Sequence, residues 1–317
     1  MREIVDFPKF RRQILAADTI HIMAVGFEQR CLAYPKILHG STAKEQTFLA
    51  IKVSGHNISQ NLIGQSEQNE ADIRKLLPSI HIQSKISILE ELRVRAVPTN
   101  YCIDTSSMPR AYIRDVLAEL LKRSIPGASI FVTYSYPARF VYGNLQEPAS
   151  DVATYFDTPV LVNGKKVAAL IMPGFDIDYT NMALTHLTAA TGLLPAIRWL
   201  FSFPGRKYQF YERALETHID MMDGKGPIFF PQDEIAVAMQ RLYNEITAIR
   251  DMPVFCIPLG SRLTCVPLFL AVWRARMEGK EVNVLIPKTR RYNSLRSEGG
   301  GTPLIEQLQG IDGIKPA

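Results

Sequence analysis

"YCIDTSSMPR", residues 101–110, decides how the chain is read. Tyr101 to Ile103 are apolar and of strand type, Asp104 to Ser107 are an acid and three hydroxyls, and Pro109 opens a segment of helical period. A buried strand that ends in a polar turn and passes straight into a helix is the building unit of an α/β protein with a parallel sheet. The helix carries Ile113, Val116, Leu117, Leu120 and Leu121 on one stripe, with Arg114, Asp115, Glu119 and Lys122 opposite. That pattern predicts packing on one side only.

The same unit recurs further along the chain. "FCIPLGS" (255–261) lies over "YCIDTSS" (101–107), and its helix again has an early proline, Pro267. Upstream, "AALIMPGFDID" (168–178) lies over "IHIMAVGFEQR" (20–30), which matches Gly174-Phe175-Asp176 with Gly26-Phe27-Glu28. Downstream, "VNVLIPKTRRY" (282–292) lies over "IFVTYSYPARF" (130–140). Three pairs in the same order and spacing predict an internal duplication. The expected fold is α/β, two tandem Rossmann-like domains with parallel sheets, over residues 1–150 and 160–317. "GNLQEPAS" (143–150) and "VNGKK" (162–166) supply turn-forming residues at the boundary.

The intervening segments fit this plan. "TFLAIKV" (47–53) and "IRWLFSF" (197–203) read as buried strands, "SIHIQS" (79–84) as a short one, and "SEQNEADIRKLL" (66–77), "RKYQFYERALETHIDMM" (206–222) and "DEIAVAMQRLYNEITAI" (233–249) as helices. "LTCVPLFLAVWRARM" (263–277) is apolar almost all round, which predicts burial on several sides at the junction of the halves.

Composition bounds the function classes. With 317 residues, 47% of them hydrophobic, the chain can bury the cores of two domains. The four cysteines, Cys31, Cys102, Cys256 and Cys265, show no metal-ligand spacing and no disulfide framework, so reduced thiols in a cytoplasmic protein are expected. "MREIVDFPKFRRQIL" does not read as a signal peptide, and no apolar run approaches the roughly 18 residues of a membrane span. A net charge of +5 favours anionic partners but is too small by itself to argue for direct nucleic-acid binding.

In open parallel sheets, ligands settle beyond the carboxyl ends of the strands, where loops and helix N-termini converge. Neither GxGxxG nor GxxxxGK[ST] occurs, so the dinucleotide fingerprint and the P-loop are excluded. Gly26 ends the first strand, where it would allow a positive φ or a close approach of ligand to backbone. Glu28 and Arg30 follow it. They read either as a helix-starting acid with a solvated arginine, or as Glu28 holding a hydroxyl, base edge or metal while Arg30 pairs with phosphate.

Asp104, Thr105, Ser106, Ser107 and Arg110 exceed what a helix cap needs, and a phosphate at the helix N-terminus is the expected use. Tyr134, Tyr136 and Arg139 follow the next strand, where tyrosines either stack on a base or pack. Lys288, Arg290, Arg291, Tyr292, Arg296 and Gly299 to Gly301 end the second half, as a phosphate-gathering loop or as a solvated basic run.

Two function classes are open. With the first and fourth strands adjacent, Glu28 and Asp104 would stand side by side, and with Ser106 they would form a Mg²⁺-dependent phosphoester hydrolase or nucleotide-processing centre. Pro258 replaces the second acid in the other half, which leaves at most one such centre. The competing class binds without turnover, and the blandest reading is a structural subunit with vestigial clefts. The six histidines show no paired ligand spacing, and no GxSxG or HExxH motif occurs.

Gly26, Phe27, Glu28 and Arg30 in one loop, with Asp104, Thr105, Ser106, Ser107 and Arg110 in the other, resemble the motifs of the CARF-like Rossmannoid sensor domains of CRISPR-associated and other prokaryotic defence proteins. Gly260, Ser261 and Arg262 are similar to the glycine-plus-base form of the second motif, and Gly174 and Asp176 occupy the place of the first. The resemblance implies a nucleotide-like messenger bound between two such domains, with Tyr136, Lys288 and Arg291 beside it. It also implies a protein partner or homodimer, because no effector domain fits in the remaining length.

Overall fold

A computed structural model describes residues 7–15, 17–40, 46–53, 60–123, 128–137, 139–140, 149–155, 164–203, 208–222, 226–289, 297–298 and 303–308. The expectations for Arg290, Arg291, Tyr292, Arg296 and Gly299 to Gly301 lie outside these residues, and at Arg139 and Lys288 the backbone alone is described.

The chain forms two compact units. One comprises Met1–Asn144 with Tyr292–Asp312, the other Leu145–Arg291 with Gly313–Ala317. The units therefore do not follow the division at 150 and 160: residues 145–159 go with the second unit, and 292–312 return to the first.

The first unit is built on β1 (Thr19–Val25), β2 (Gln46–Lys52), β3 (His81–Gln83), β4 (Asn100–Asp104) and β5 (Ser129–Ser135), which lie parallel in the order β3-β2-β1-β4-β5. Every residue of β1 and β4 is buried, as expected of central strands covered on both faces. Helices α1 (Phe7–Leu15), α2 (Ala33–Leu38), α3 (Gln60–Leu76), α4 (Lys85–Val94) and α5 (Arg110–Arg123) complete the unit. One face of the sheet packs Met23, Val25, Ala50 and Phe131 against Phe10, Tyr34, Leu38 and Ile73.

The apolar stripe of α5 is buried as expected, but so are Arg114 and Glu119 on its polar face. Helix α4 packs there, through ion pairs Arg93–Glu119 at 3.0 Å and Lys85–Asp115 at 2.5 Å. A second amphipathic helix, not solvent, covers that side.

The second unit repeats the strand order. Between β5 and its own first central strand lie the short β6 (Arg139–Phe140) and β7 (Ala149–Tyr155). Then come β8 (Ala168–Met172), β9 (Ala196–Ser202), β10 (Ile228–Phe230), β11 (Val254–Pro258) and β12 (Val282–Thr289), in the order β10-β9-β8-β11-β12 and all parallel. Its helices are α6 (Ile177–Thr191), α7 (Tyr208–His218), α8 (Ile235–Ala248) and α9 (Arg262–Met277). The apolar α9 is buried along most of its length by α8, β11 and β12 of its own unit. Equal strand order makes both units Rossmann-like; many α/β folds share it, so it does not make one unit a copy of the other.

Each sheet is closed at one edge by an antiparallel strand. After β5 the next long strand, β7, pairs with β12 of the second unit, from Val284↔Tyr155 to Thr289↔Ala149. After β12, the strand β14 (Pro303–Leu308) pairs with β5 of the first unit, from Pro303↔Ser135 to Leu308↔Ile130. The two connections also meet: β13 (Ser297–Glu298) pairs with β6. The first sheet is thus completed by a strand from the far end of the chain, whereas every strand of the second lies within 145–291.

Candidate functional site

In the order β3-β2-β1-β4-β5, the chain reverses direction of progress between β1 and β4, the place where an open parallel sheet splays its loops apart. The loop 26–30 follows β1 and the turn 104–107 follows β4, so both predicted loops flank this reversal. In the second unit, Gly174 to Asp176 and Leu259 to Arg262 flank the corresponding reversal between β8 and β11.

Asp104 is the last residue of β4 and is fully buried. Its Oδ1 accepts from Ser106 Oγ at 2.5 Å, Thr133 Oγ1 at 3.1 Å and, at longer range, the Ser106 backbone N–H at 3.4 Å. Its Oδ2 has no hydrogen-bond partner. Burial pushes the carboxyl up to about 6, while the Ser106 and Thr133 donors and the nearby Arg30 pull it down. Thr133 was not singled out by sequence; the signal was a hydroxyl within an apolar strand, in register with Asp104.

The other hydroxyls of the turn also face inward. Thr105 donates to the Thr133 carbonyl at 3.1 Å, Ser107 donates to the Ala24 carbonyl of β1 at 2.8 Å, and Ser106 Oγ accepts from the Ser135 backbone N–H at 2.8 Å. Three hydroxyls in succession therefore bind β4 to β1 and β5. At the strand ends Phe27, Glu28, Arg110 and Tyr136 are half-buried.

Arg30 is buried, and its guanidinium is a second centre of the site. Nε donates to Glu28 Oε2 at 3.1 Å, Nη2 makes a closer bond to the same oxygen, and Nη1 donates to the Tyr134 hydroxyl at 3.2 Å. Burial opposes its charge, but Glu28 and Tyr134 outweigh that and hold the guanidinium above its ordinary value. Arg30 is thus not a solvated arginine. Tyr134 and Tyr136 pack edge to face with centroids 4.9 Å apart, which is packing between the two rings.

The glycine of the loop has a different reason from the one expected. Gly26 is not among the described glycines with positive φ, which are Gly40, Gly164, Gly192 and Gly279. It sits in close packing, because a Cβ there would lie 3.3 Å from Val53 Cβ. Its carbonyl accepts from Asn69 Nδ2 of α3 at 2.8 Å, a contact that sequence reading missed because Asn69 sits on an ordinary amphipathic helix. Cys31 beside it is buried, and its thiol is pushed up to about 12 by that burial, so it is no nucleophile.

The second unit is built differently at the same place. A Cβ on Gly174 would lie 2.5 Å from the Leu259 carbonyl oxygen, so the two loops are in direct backbone contact. Asp176 and Ser261 act as caps: Asp176 Oδ1 accepts from the Asp178 N–H at 3.0 Å and Ser261 Oγ from the Thr264 N–H at 3.3 Å. Gly260 packs under Met172, with its Cβ position 3.2 Å from Met172 Cγ, and Arg262 is half-buried.

Metal chemistry is poorly served by these groups. Among the described residues, no three His, Cys, Asp or Glu side chains stand together as a metal site. Glu28 is paired with Arg30, and Asp104 offers one free oxygen, where Mg²⁺ asks for several in near-octahedral array. The residues present do not fit Mg²⁺.

No family model matches the chain, and no curated protein does. Among solved structures, it is similar to the PKMT2 protein of Rickettsia typhi in complex with AdoHcy, at 15% identity and a TM-score of 0.26 over 42% of this chain and 25% of that one. An O-methyltransferase family protein of Burkholderia thailandensis matches at 10% identity and a TM-score of 0.24, over 40% of this chain and 39% of that one. A universal stress protein of Archaeoglobus fulgidus matches at 12% identity and a TM-score of 0.26, over 85% of this chain and 96% of that one. This chain spans well under half the length of the first two of these proteins. None of these likenesses carries a ligand or an activity to it. No helix among the described residues is long and apolar enough to cross a membrane.

Proposed function

We propose that the chain binds a nucleotide-like, phosphate-bearing ligand at the strand reversal of its first unit, and that it serves as the sensing component of a prokaryotic defence or regulatory assembly of the CARF type. The observation that carries this reading is the convergence of Glu28, Arg30, Asp104, Ser106 and Tyr134 at the β1/β4 reversal, as their hydrogen bonds and mutual charge effects attest. Arg30 fixes the loop after β1 through Glu28 and Tyr134, and the N-terminus of α5 beside Asp104 suits phosphate. Arg110 in the first turn of α5, half-buried, is the more accessible cation.

Binding is favoured over hydrolysis for a stated reason. Ser106 Oγ is buried and already engaged on both its donor and acceptor sides, and Glu28 is neutralised by Arg30, so neither is poised as nucleophile or base. A protein partner or a homodimer is part of the proposal, because a sensor needs an effector.

A thermal-shift screen against mononucleotides and cyclic oligonucleotides tests it. A true ligand at 100 times its dissociation constant adds about 2.7 kcal/mol of apparent stability, and Arg110→Ala should shrink that gain. Silence across the whole screen rejects the reading.

A further inference from the structure

Of the buried side-chain atoms without a hydrogen-bond partner among the described residues of the first unit, two belong to one linked cluster: Asp104 Oδ2 and Ser135 Oγ. Ser135 stands two residues beyond Thr133 on β5, so both side chains emerge on the same face of the sheet, and Thr133 is the register partner of Asp104. The Ser135 backbone N–H bonds Ser106 Oγ, which in turn bonds Asp104 Oδ1. A single chain of contacts thus joins the two bare atoms at the carboxyl ends of adjacent strands. Leaving such atoms unpaired costs about 1–3 kcal/mol each, and a native fold keeps that cost where the atoms have a use or a missing partner.

The missing partner can be specified. The carboxylate oxygen only accepts, while the serine hydroxyl can donate and accept. A group that uses the Ser135 O–H as a donor, so that no proton is left unpaired, and also serves Asp104 Oδ2 must accept from the first and donate to the second. An ammonium group has no lone pair and cannot do the first; a carbonyl or phosphate oxygen has no proton and cannot do the second. A hydroxyl does both, and so does water. The charge state agrees, because the Asp104 carboxylate already draws on three donors at Oδ1 and on Arg30 nearby, and needs a neutral donor rather than another cation.

We infer that Asp104 and Ser135 form a subsite for an alcohol hydroxyl of the ligand, of the sugar type, received at the strand ends beside Arg30. The inference rests on the proposed ligand-binding role and assigns to it a polyhydroxylated ligand rather than a simple anion. Both atoms are closed to solvent, so entry requires side chains at the strand ends to shift, and an internal water is the alternative source of the same O–H chemistry.

The test uses the full chain and the four ribonucleoside 5′-monophosphates, each compared with its 2′-deoxy and 3′-deoxy forms, by calorimetric titration of the wild type and Ser135→Ala. The expected result is a loss of about tenfold or more in affinity on removing one of the two hydroxyls, and no such discrimination in Ser135→Ala. Because the deleted hydroxyl bonds nothing in the free protein, the melting temperature of Ser135→Ala should stay within about a degree of wild type or rise.

Equal affinity for ribo and both deoxy forms overturns this subsite while leaving the ligand-binding role intact. No binding of any probe, neither these mononucleotides nor the cyclic oligonucleotides of the thermal-shift screen, rejects that role and the subsite together. A clear fall in the melting temperature of Ser135→Ala shows a hydroxyl already bonded to an internal water, and also overturns the subsite.

Discussion

Ser106 Oγ donates to Asp104 Oδ1 at 2.5 Å and accepts from the Ser135 N–H at 2.8 Å, so one hydroxyl couples the end of β4 to the end of β5. Replacing it by a methyl removes a charge-assisted donor from a buried carboxylate and orphans a buried amide. Ser106→Ala should therefore lose on the order of 2–4 kcal/mol in urea unfolding. A loss below about 0.5 kcal/mol would mean that the hydroxyl is not the bridge described.

Asp104 also makes a pH prediction whose sign is opposite to that of a salt-bridged acid. Its folded-state value, about 6, lies above the ordinary value of 3.8, so between these the folded state holds more protons than the unfolded one. Stability then falls as pH rises through that window, by about 3 kcal/mol in total. His21 works in the opposite direction: burial lowers it from 6.5 to about 4, so its contribution is lost as pH falls through the same range. The two nearly cancel in the wild type. Asp104→Asn removes one of them, and its stability should fall more steeply than that of wild type between pH 7 and pH 4.5, when both are followed by urea unfolding. Parallel pH profiles would rule out a raised Asp104.

Much of this was legible in the chain, for physical reasons. Runs such as Tyr101 to Ile103 and Ala168 to Met172 can only be central strands, because sheets covered on both faces take consecutive apolar residues. Adjacency of β1 and β4, and with it the convergence of Glu28, Arg30 and Asp104, followed from strand order. What escaped was set at a distance. The hydroxyl cluster at 105–107 looked outward-facing because its partners, Thr133, Ala24 and Ser135, lie on strands as far as 83 residues away. The return of β14 to β5 joins residues as far as 178 apart in sequence and has no local signal.

The two loop glycines should respond unequally to alanine. A Cβ at Gly174 meets the Leu259 carbonyl oxygen at 2.5 Å, a backbone atom that cannot rotate away, whereas a Cβ at Gly26 meets Val53 at 3.3 Å, which yields by a small shift. Gly174→Ala should cost about 2–3 kcal/mol or more and Gly26→Ala about 1 kcal/mol or less, compared by thermal melting. Equal costs would mean that the loops of the second unit are not in contact.

The returning strand β14 gives the last prediction and ties the fold to the site. Ile305 pairs with Thr133, is buried, and belongs to the core that contains Phe10 and Phe131, so Ile305→Asp would place an unpaired charge among them. A buried charge without a partner costs several kcal/mol, enough to detach an edge strand of six residues whose loss does not unfold the whole sheet. With β14 gone, β5 becomes the open edge, and Thr133, which donates to Asp104, loses the neighbour that holds its backbone. Hydrogen exchange should then show the amides of 130–135 losing protection while those of 168–172 and 254–258, in the other unit, keep theirs. Nucleotide affinity should fall in the same variant although no ligand-facing residue has changed. Unaltered protection across 130–135 would show that β5 does not depend on the strand borrowed from the far end of the chain.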